Sequence, residues 1–399
     1  MLVTIIGLFV TLLILSTLVL IHELGHFLVA KKLGIKVEEF GFGFPPTAWS
    51  KKIGETIYSI NWLPIGGFVK LYGEDDAGGG KVALKDPTEK ITDLKRAFFA
   101  RPVWQRALVV LAGVIMNAVL AFIIYYIFLG LSGFQVELPL LNDHKFFAVE
   151  QSAKLNTIIV SNIAADSPAE SAGIKKCDAN YCAAITAVNG KKPINSEAFI
   201  KTINDNKGNE VLFTIENQIG KKEKFDAVII PRVNPPANQG ALGIEFNMLE
   251  TTQLTYETPV QKVASGITHP LNLMAYNFSV MKTLAVRAIQ EKDAGPLSTG
   301  VSGPIGIVRL GSEINKIVDY KERVLTFLNL AGLLSISLAV FNVLPIPALD
   351  GGRLFFILVE GVTRKKVSPK FEAAIHTAGM VVLLGLIILV TFKDIFQLF

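Results

Sequence analysis

Residues 22–26 read His-Glu-Leu-Gly-His and close an apolar run over residues 2–21. A run of roughly 20 apolar residues is long enough to cross a bilayer as a helix. On a helix, His22 and His26 project from one face, where both imidazoles can bind one Zn²⁺, and Glu23 beside them can take a proton from water that the metal activates. Ionisable groups in lipid are costly, so a His-Glu-His cluster at the end of a spanning helix calls for a compensating partner such as a metal ion. A plain interfacial cluster capping the helix end is the alternative. The expected chemistry therefore lies at membrane depth.

Composition extends this reading to the whole chain. Its 399 residues are 51% hydrophobic, with a mean hydropathy of +0.45, above ordinary soluble usage. Four apolar segments, at about 2–30, 104–131, 324–349 and 374–396, each approach spanning length. The first lacks the basic leader of a cleaved signal peptide. The net charge of +5 is modest, and no basic block interleaved with aromatics speaks for nucleic acid. Lys and Arg instead crowd the first connection, from Lys31 through Lys81, Lys85 and Lys90 to Arg101, and the last, from Arg353 to Lys370. By the positive-inside rule both connections are cytoplasmic. The two termini and residues 132–323 are then external, and the metal belongs near the cytoplasmic side.

The expected division is 1–131 and 324–399 as membrane parts, 132–236 as an external domain, and 237–323 as a following region with a helix at about 258–291. Runs at 157–163, 183–188, 210–216 and 225–230 are rich in β formers, and Asn189-Gly190 signals a tight turn. Residues 167–174 predict a short helix closed by Gly173. This pattern resembles an α+β PDZ domain. Asn234 to Gly240, with Pro235, Pro236 and Asn238, supplies a boundary. His144 and His269 have no ligand spacing, and both read with His376 as structural or surface residues, although His376 begins the last span at a depth close to that of the expected metal.

Zinc hydrolases commonly use three protein ligands and leave the fourth position for water. Asp350 is the candidate third ligand, because Pro345 and Pro347 break the helix before it and free polar groups to face a site rather than lipid. HELGH, Gly41-Phe42-Gly43, residues 64–70, Ala112-Gly113 with Asn117, Ser302 to Ile307 and Asn342 to Gly352 occur in one order. In that order the chain resembles the site-2 proteases, intramembrane zinc metalloproteases, and among them the bacterial regulator-of-sigma-E type with a single PDZ domain. The resemblance implies a polytopic α-helical protein of the bacterial inner membrane, with about four transmembrane helices and a re-entrant β-hairpin on the cytoplasmic side. It further implies Zn²⁺ held by His22, His26 and Asp350, with Glu23 as base and Asn342 binding substrate. Asn117 reads better as a polar contact between packed helices.

A membrane helix must be unwound before it is cut, and its carbonyls then need new partners. Residues 56–71 predict a hairpin, and the resemblance places it, with Gly41, Phe42, Gly43, Gly66 and Gly67, beside the substrate, to which its edge could add as a strand. Implied substrates are single-span membrane proteins, such as anti-sigma factors or remnant signal peptides. Cys177 and Cys182 fall in the external, oxidising compartment and predict a local disulfide over a metal site. The loop they occupy departs from the family pattern and puts peptide binding by the PDZ domain in doubt. The alternative function is a noncatalytic PDZ adaptor with a structural metal. A transporter would call for paired inverted repeats, which are not evident.

Overall fold

The computed structural model describes residues 2–74, 94–152, 155–177, 181–193, 196–217, 223–237, 239–291 and 303–396. Lys81, Lys85 and Lys90, Asn238 and Ser302 lie outside the described residues. Helix α1 (Leu2–Lys32) carries the first apolar run, and β1 (Val37–Ile53) and β2 (Thr56–Leu71) form an antiparallel hairpin after it. Helix α2 (Val103–Leu131) returns along α1. Beyond the large sheet region come α5 (Pro259–Glu291), α6 (Pro304–Ile314), α7 (Tyr320–Val343), α8 (Asp350–Thr363) and α9 (Pro369–Phe396). Among the described residues, four helices, α1, α2, α7 and α9, are long and apolar enough to cross a membrane.

The third apolar segment does not continue as helix to 349. Helix α7 stops at Val343, because neither Pro345 nor Pro347 can donate a helical N–H and their rings crowd the preceding turn. Residues 344–349 form a bend before α8 begins at Asp350. Close helix approach is built from small residues, as membrane helix packing favours. A Cβ at Gly25 would fall 2.7 Å from the carbonyl carbon of Ala112 and 2.8 Å from Met116.

The remaining strands, β3 (Gln135–Leu140), β4 (Glu150–Gln151), β5 (Leu155–Ile163), β6 (Ala183–Val188), β7 (Val211–Asn217), β8 (Lys224–Ile229) and β9 (Ile244–Thr255), make one antiparallel sheet. Its order is β3-β9-β5-β6-β7-β8, with β4 also on β9. Alternating side chains of β7, with Val211, Phe213 and Ile215 buried and Leu212 exposed, give the sheet one core face. Phe199 and Ile203 of α4 (Ser196–Asp205) close that core. The predicted short helix is α3 (Pro168–Ser171): Ser167 Oγ accepts from Glu170 N, and Glu170 returns a carboxylate to Asp166 N.

The expected boundary at 236/237 is corrected. Strand β9 lies beyond it, yet is an interior strand of the sheet, pairing β5 on one side and β3 on the other. The sheet therefore extends from 135 to 255. Cys177 and Cys182 are joined as a disulfide.

Below the sheet, Tyr256, Tyr125 and Phe128 enclose His269 of α5, whose Nδ1 lies 3.0 Å from the Tyr256 hydroxyl. Burial pushes the His269 pKa down to about 4, so the ring stays neutral as a packing element.

Candidate metal centre

Spacing of four residues stacks His22 and His26 on one face of α1, with ring centroids 4.8 Å apart. Both side chains are buried against α2. Room for them comes from Gly113, where a Cβ would fall 2.7 Å from the Cε1 atoms of both rings. Any larger residue there would displace an imidazole.

The bend at 344–349 turns the chain back so that Asp350 meets both rings. Asp350 Oδ2 lies 2.9 Å from His22 Nε2 and 3.1 Å from His26 Nε2, and the two nitrogens are 3.2 Å apart. His26 Nδ1–H donates to the Val109 carbonyl at 2.8 Å, which leaves the Nε2 lone pair facing the other two acceptor atoms. A cation belongs among three such atoms. Ligands about 2.0–2.2 Å from one tetrahedral centre stand on the order of 3.3 Å from each other, close to the observed spacing, so the nitrogen and oxygen donors fit Zn²⁺. Among the described residues this is the one cluster of three such donors. Three protein donors leave a fourth position free, the arrangement of a catalytic rather than a structural zinc site.

Glu23, adjacent to His22 on α1, lines two cavities. One, of about 190 Å³, is bounded by Val19, His22, Asn117, Leu338 and Asn342. The other, of about 230 Å³, is bounded by His26, Phe68, Glu74 and Arg353. Asp350 borders both. Asn342, on the last turn of α7, thus faces the same space as Glu23. The hairpin reaches the site through Gly67, where a Cβ would lie 3.6 Å from Glu23 Cγ and 3.1 Å from the Gly41 carbonyl oxygen. Phe42 pairs with Gly67. Gly43 and Gly66 pack against Leu63 and Phe44, inside the hairpin, and the structure does not bring them to Glu23.

Three contacts at the site go beyond the sequence reading. Arg353, one turn after Asp350 on α8, pairs with Glu74 at the end of the hairpin. That carboxylate holds the guanidinium firmly charged. His376 of α9 is buried, and its Nδ1 accepts the Ala348 N–H at 3.0 Å, just before Asp350, where Ala348 takes a left-handed φ of 76°. Asn117 is not only a packing amide, since its side chain reaches His22. The His376 contact had a sequence signal in its depth beside the metal. The Glu74 pairing had none, because it joins residues 279 apart.

Comparison with known proteins gives a consistent picture. The family model of peptidase family M50 matches residues 10–386. A protein of Clostridium perfringens, provisionally named a zinc metalloprotease, is 33% identical over 95% of this chain and 96% of its own length. The zinc metalloprotease RasP of Shouchella clausii is 29% identical over 97% of this chain and 98% of its own. A Nostoc protein with a provisional zinc metalloprotease name is 30% identical over 96% and 94%.

Proposed function

Because this chain belongs to peptidase family M50, and is a zinc metalloprotease and a multi-pass membrane protein, we propose that it cuts single-span membrane proteins inside the bilayer. The carrying observation is the convergence of Asp350, at 2.9–3.2 Å, with His22 and His26, which share a helix of spanning length with Glu23. His22, His26 and Asp350 hold the zinc. When bound, Zn²⁺ polarises a peptide carbonyl and lowers the pKa of a water molecule to about 7. Glu23 takes the proton from the attacking water and delivers it to the leaving amine. Asn342, across the cavity from Glu23, offers its amide to the substrate backbone or to developing negative charge, a contribution worth roughly 3 kcal/mol in other hydrolases.

The substrate helix unwinds locally at the site, and the hairpin around Gly41, Phe42 and Gly67 receives the freed backbone, with Gly43 and Gly66 shaping its edge. In this reading the hairpin is re-entrant from the cytoplasmic side, and the inner membrane of a bacterium is the setting. The termini and the sheet domain, read as a PDZ domain, are extracytoplasmic. Anti-sigma factors and remnant signal peptides fit the required substrate form. Mapping products by mass spectrometry after incubation with a shortened single-span protein in vesicles tests the proposal. Scissile bonds inside the apolar segment support it, and cuts confined to the soluble flanks oppose it.

A further inference from the structure

Helix α2 meets the two histidines at their own pitch. Val109, Gly113 and Asn117 are spaced by four residues and therefore share one face. Val109 fixes His26 through its carbonyl, Gly113 provides the space, and Asn117 stands at 3.3 Å, amide nitrogen to Nδ1, from His22. Asn117 is fully buried, and its Oδ1 has no hydrogen-bond partner. A buried amide oxygen without a donor is costly, so this side chain invites a functional explanation.

With the imidazole neutral, His22 has one N–H. With the amide N–H₂ donating to Nδ1, the proton falls on Nε2, which lies against Asp350. Nε2 could not then bind a metal. A half-turn of the amide exchanges its nitrogen and oxygen in nearly the same volume. The oxygen now accepts Nδ1–H, its lack of a donor ends, and the Nε2 lone pair faces His26 and Asp350.

We propose that Asn117 is the positioning residue of His22, its amide oxygen accepting Nδ1–H and so committing Nε2 to the metal, as the Val109 carbonyl does for His26. The inference rests on the reading of His22 as a ligand. Partners that orient ligating histidines in this way typically matter 10–100-fold for metal affinity. A purely structural role for the amide would be to join helices, but the bond from α2 to α7 at this point runs from Ser335 Oγ to the Asn117 backbone oxygen, 2.8 Å, which substitution leaves in place.

The test uses the full-length protein in detergent, stripped of metal and titrated with zinc against a chromophoric chelator, with thermal unfolding of the metal-free form measured in parallel. Asn117→Leu keeps the branched shape and lacks the acceptor, and its zinc Kd should rise about 10–100-fold while metal-free unfolding stays near wild type. Asn117→Asp retains an acceptor oxygen and should bind within a few-fold of wild type. Should Asn117→Leu lose its metal-free fold, Asn117→Ala carries the same comparison. His22→Ala, run alongside, should lose the metal. Retention of zinc by His22→Ala would remove the ligand reading and this inference with it. Loss of zinc by His22→Ala, together with wild-type affinity in Asn117→Leu or equal weakening in Asn117→Leu and Asn117→Asp, would overturn the role of Asn117 alone.

Discussion

At Gly113 the identity of one residue decides whether two ligands fit. A methyl group there would come within 2.7 Å of both imidazoles, closer than carbon atoms pack, and neither ring can withdraw, since His26 is tied to Val109 and His22 abuts Asn117. Gly113→Ala should therefore weaken zinc binding at least about tenfold, on the scale of lost ligand orientation, which a zinc titration will read. The same assay on Asp350→Ala should show loss of both bound zinc and activity, because two histidines alone make an incomplete site. Full zinc content in purified Asp350→Ala would assign the third ligand elsewhere. Both expectations depend on separations of 2.7–3.2 Å, finer than residue spacing conveys.

Among the elements, the ends of helices carry the polar latches. The carboxylate of Asp394, buried near the end of α9, accepts from Gly303 N at 3.0 Å and Gly306 N at 2.8 Å, where α6 begins with unsatisfied donors. Asp394→Leu should lower the unfolding temperature in detergent, corresponding to roughly 2 kcal/mol for lost charge-assisted bonds. An unchanged transition would mean that α6 does not depend on this carboxylate. At the turn of the hairpin, Arg96 and Lys31 bond Glu55 and hold its pKa down at about 2. A carboxylate with a depressed folded pKa stabilises above its ordinary value near 4.5, and that contribution fades as pH falls from there towards 2. Glu55→Gln should consequently be less stable than wild type at neutral pH and converge with it in acid, as melting curves across pH will record. The site is partly exposed, so the difference is expected to be small.

These elements also show what a sequence conveys about such a fold. Helix α1 and the pairing of His22 with His26 were legible because a single spacing carries both the helix and the shared face. The break before Asp350 was legible because Pro345 and Pro347 announce it. Strand β9 was missed as part of the sheet: its partners, β5 and β3, are remote in sequence, and the run of prolines before it reads as a boundary. Asn117 was weighed as a packing residue because its spacing to Val109 and Gly113 gains meaning only when α1 lies alongside.

Over the whole molecule, a candidate site built partly on a helix of spanning length coexists with a large sheet domain joined to α2 and α5 through the cluster around His269. We expect that domain to restrict substrates by size. Removing residues 135–255 while keeping the spans should allow cleavage of a substrate that still carries its bulky external part. A folded deletion variant that cuts only the shortened substrate would place the restriction in α5 instead. The account as a whole turns on Glu23. The most direct measurement compares wild type with Glu23→Gln in vesicles, recording bound zinc and the rate of cleavage of one shortened single-span protein. The account predicts unchanged zinc with cleavage reduced at least about 10²-fold, since the amide cannot accept a proton. A zinc-loaded Glu23→Gln protein that cleaves at the wild-type rate would contradict it.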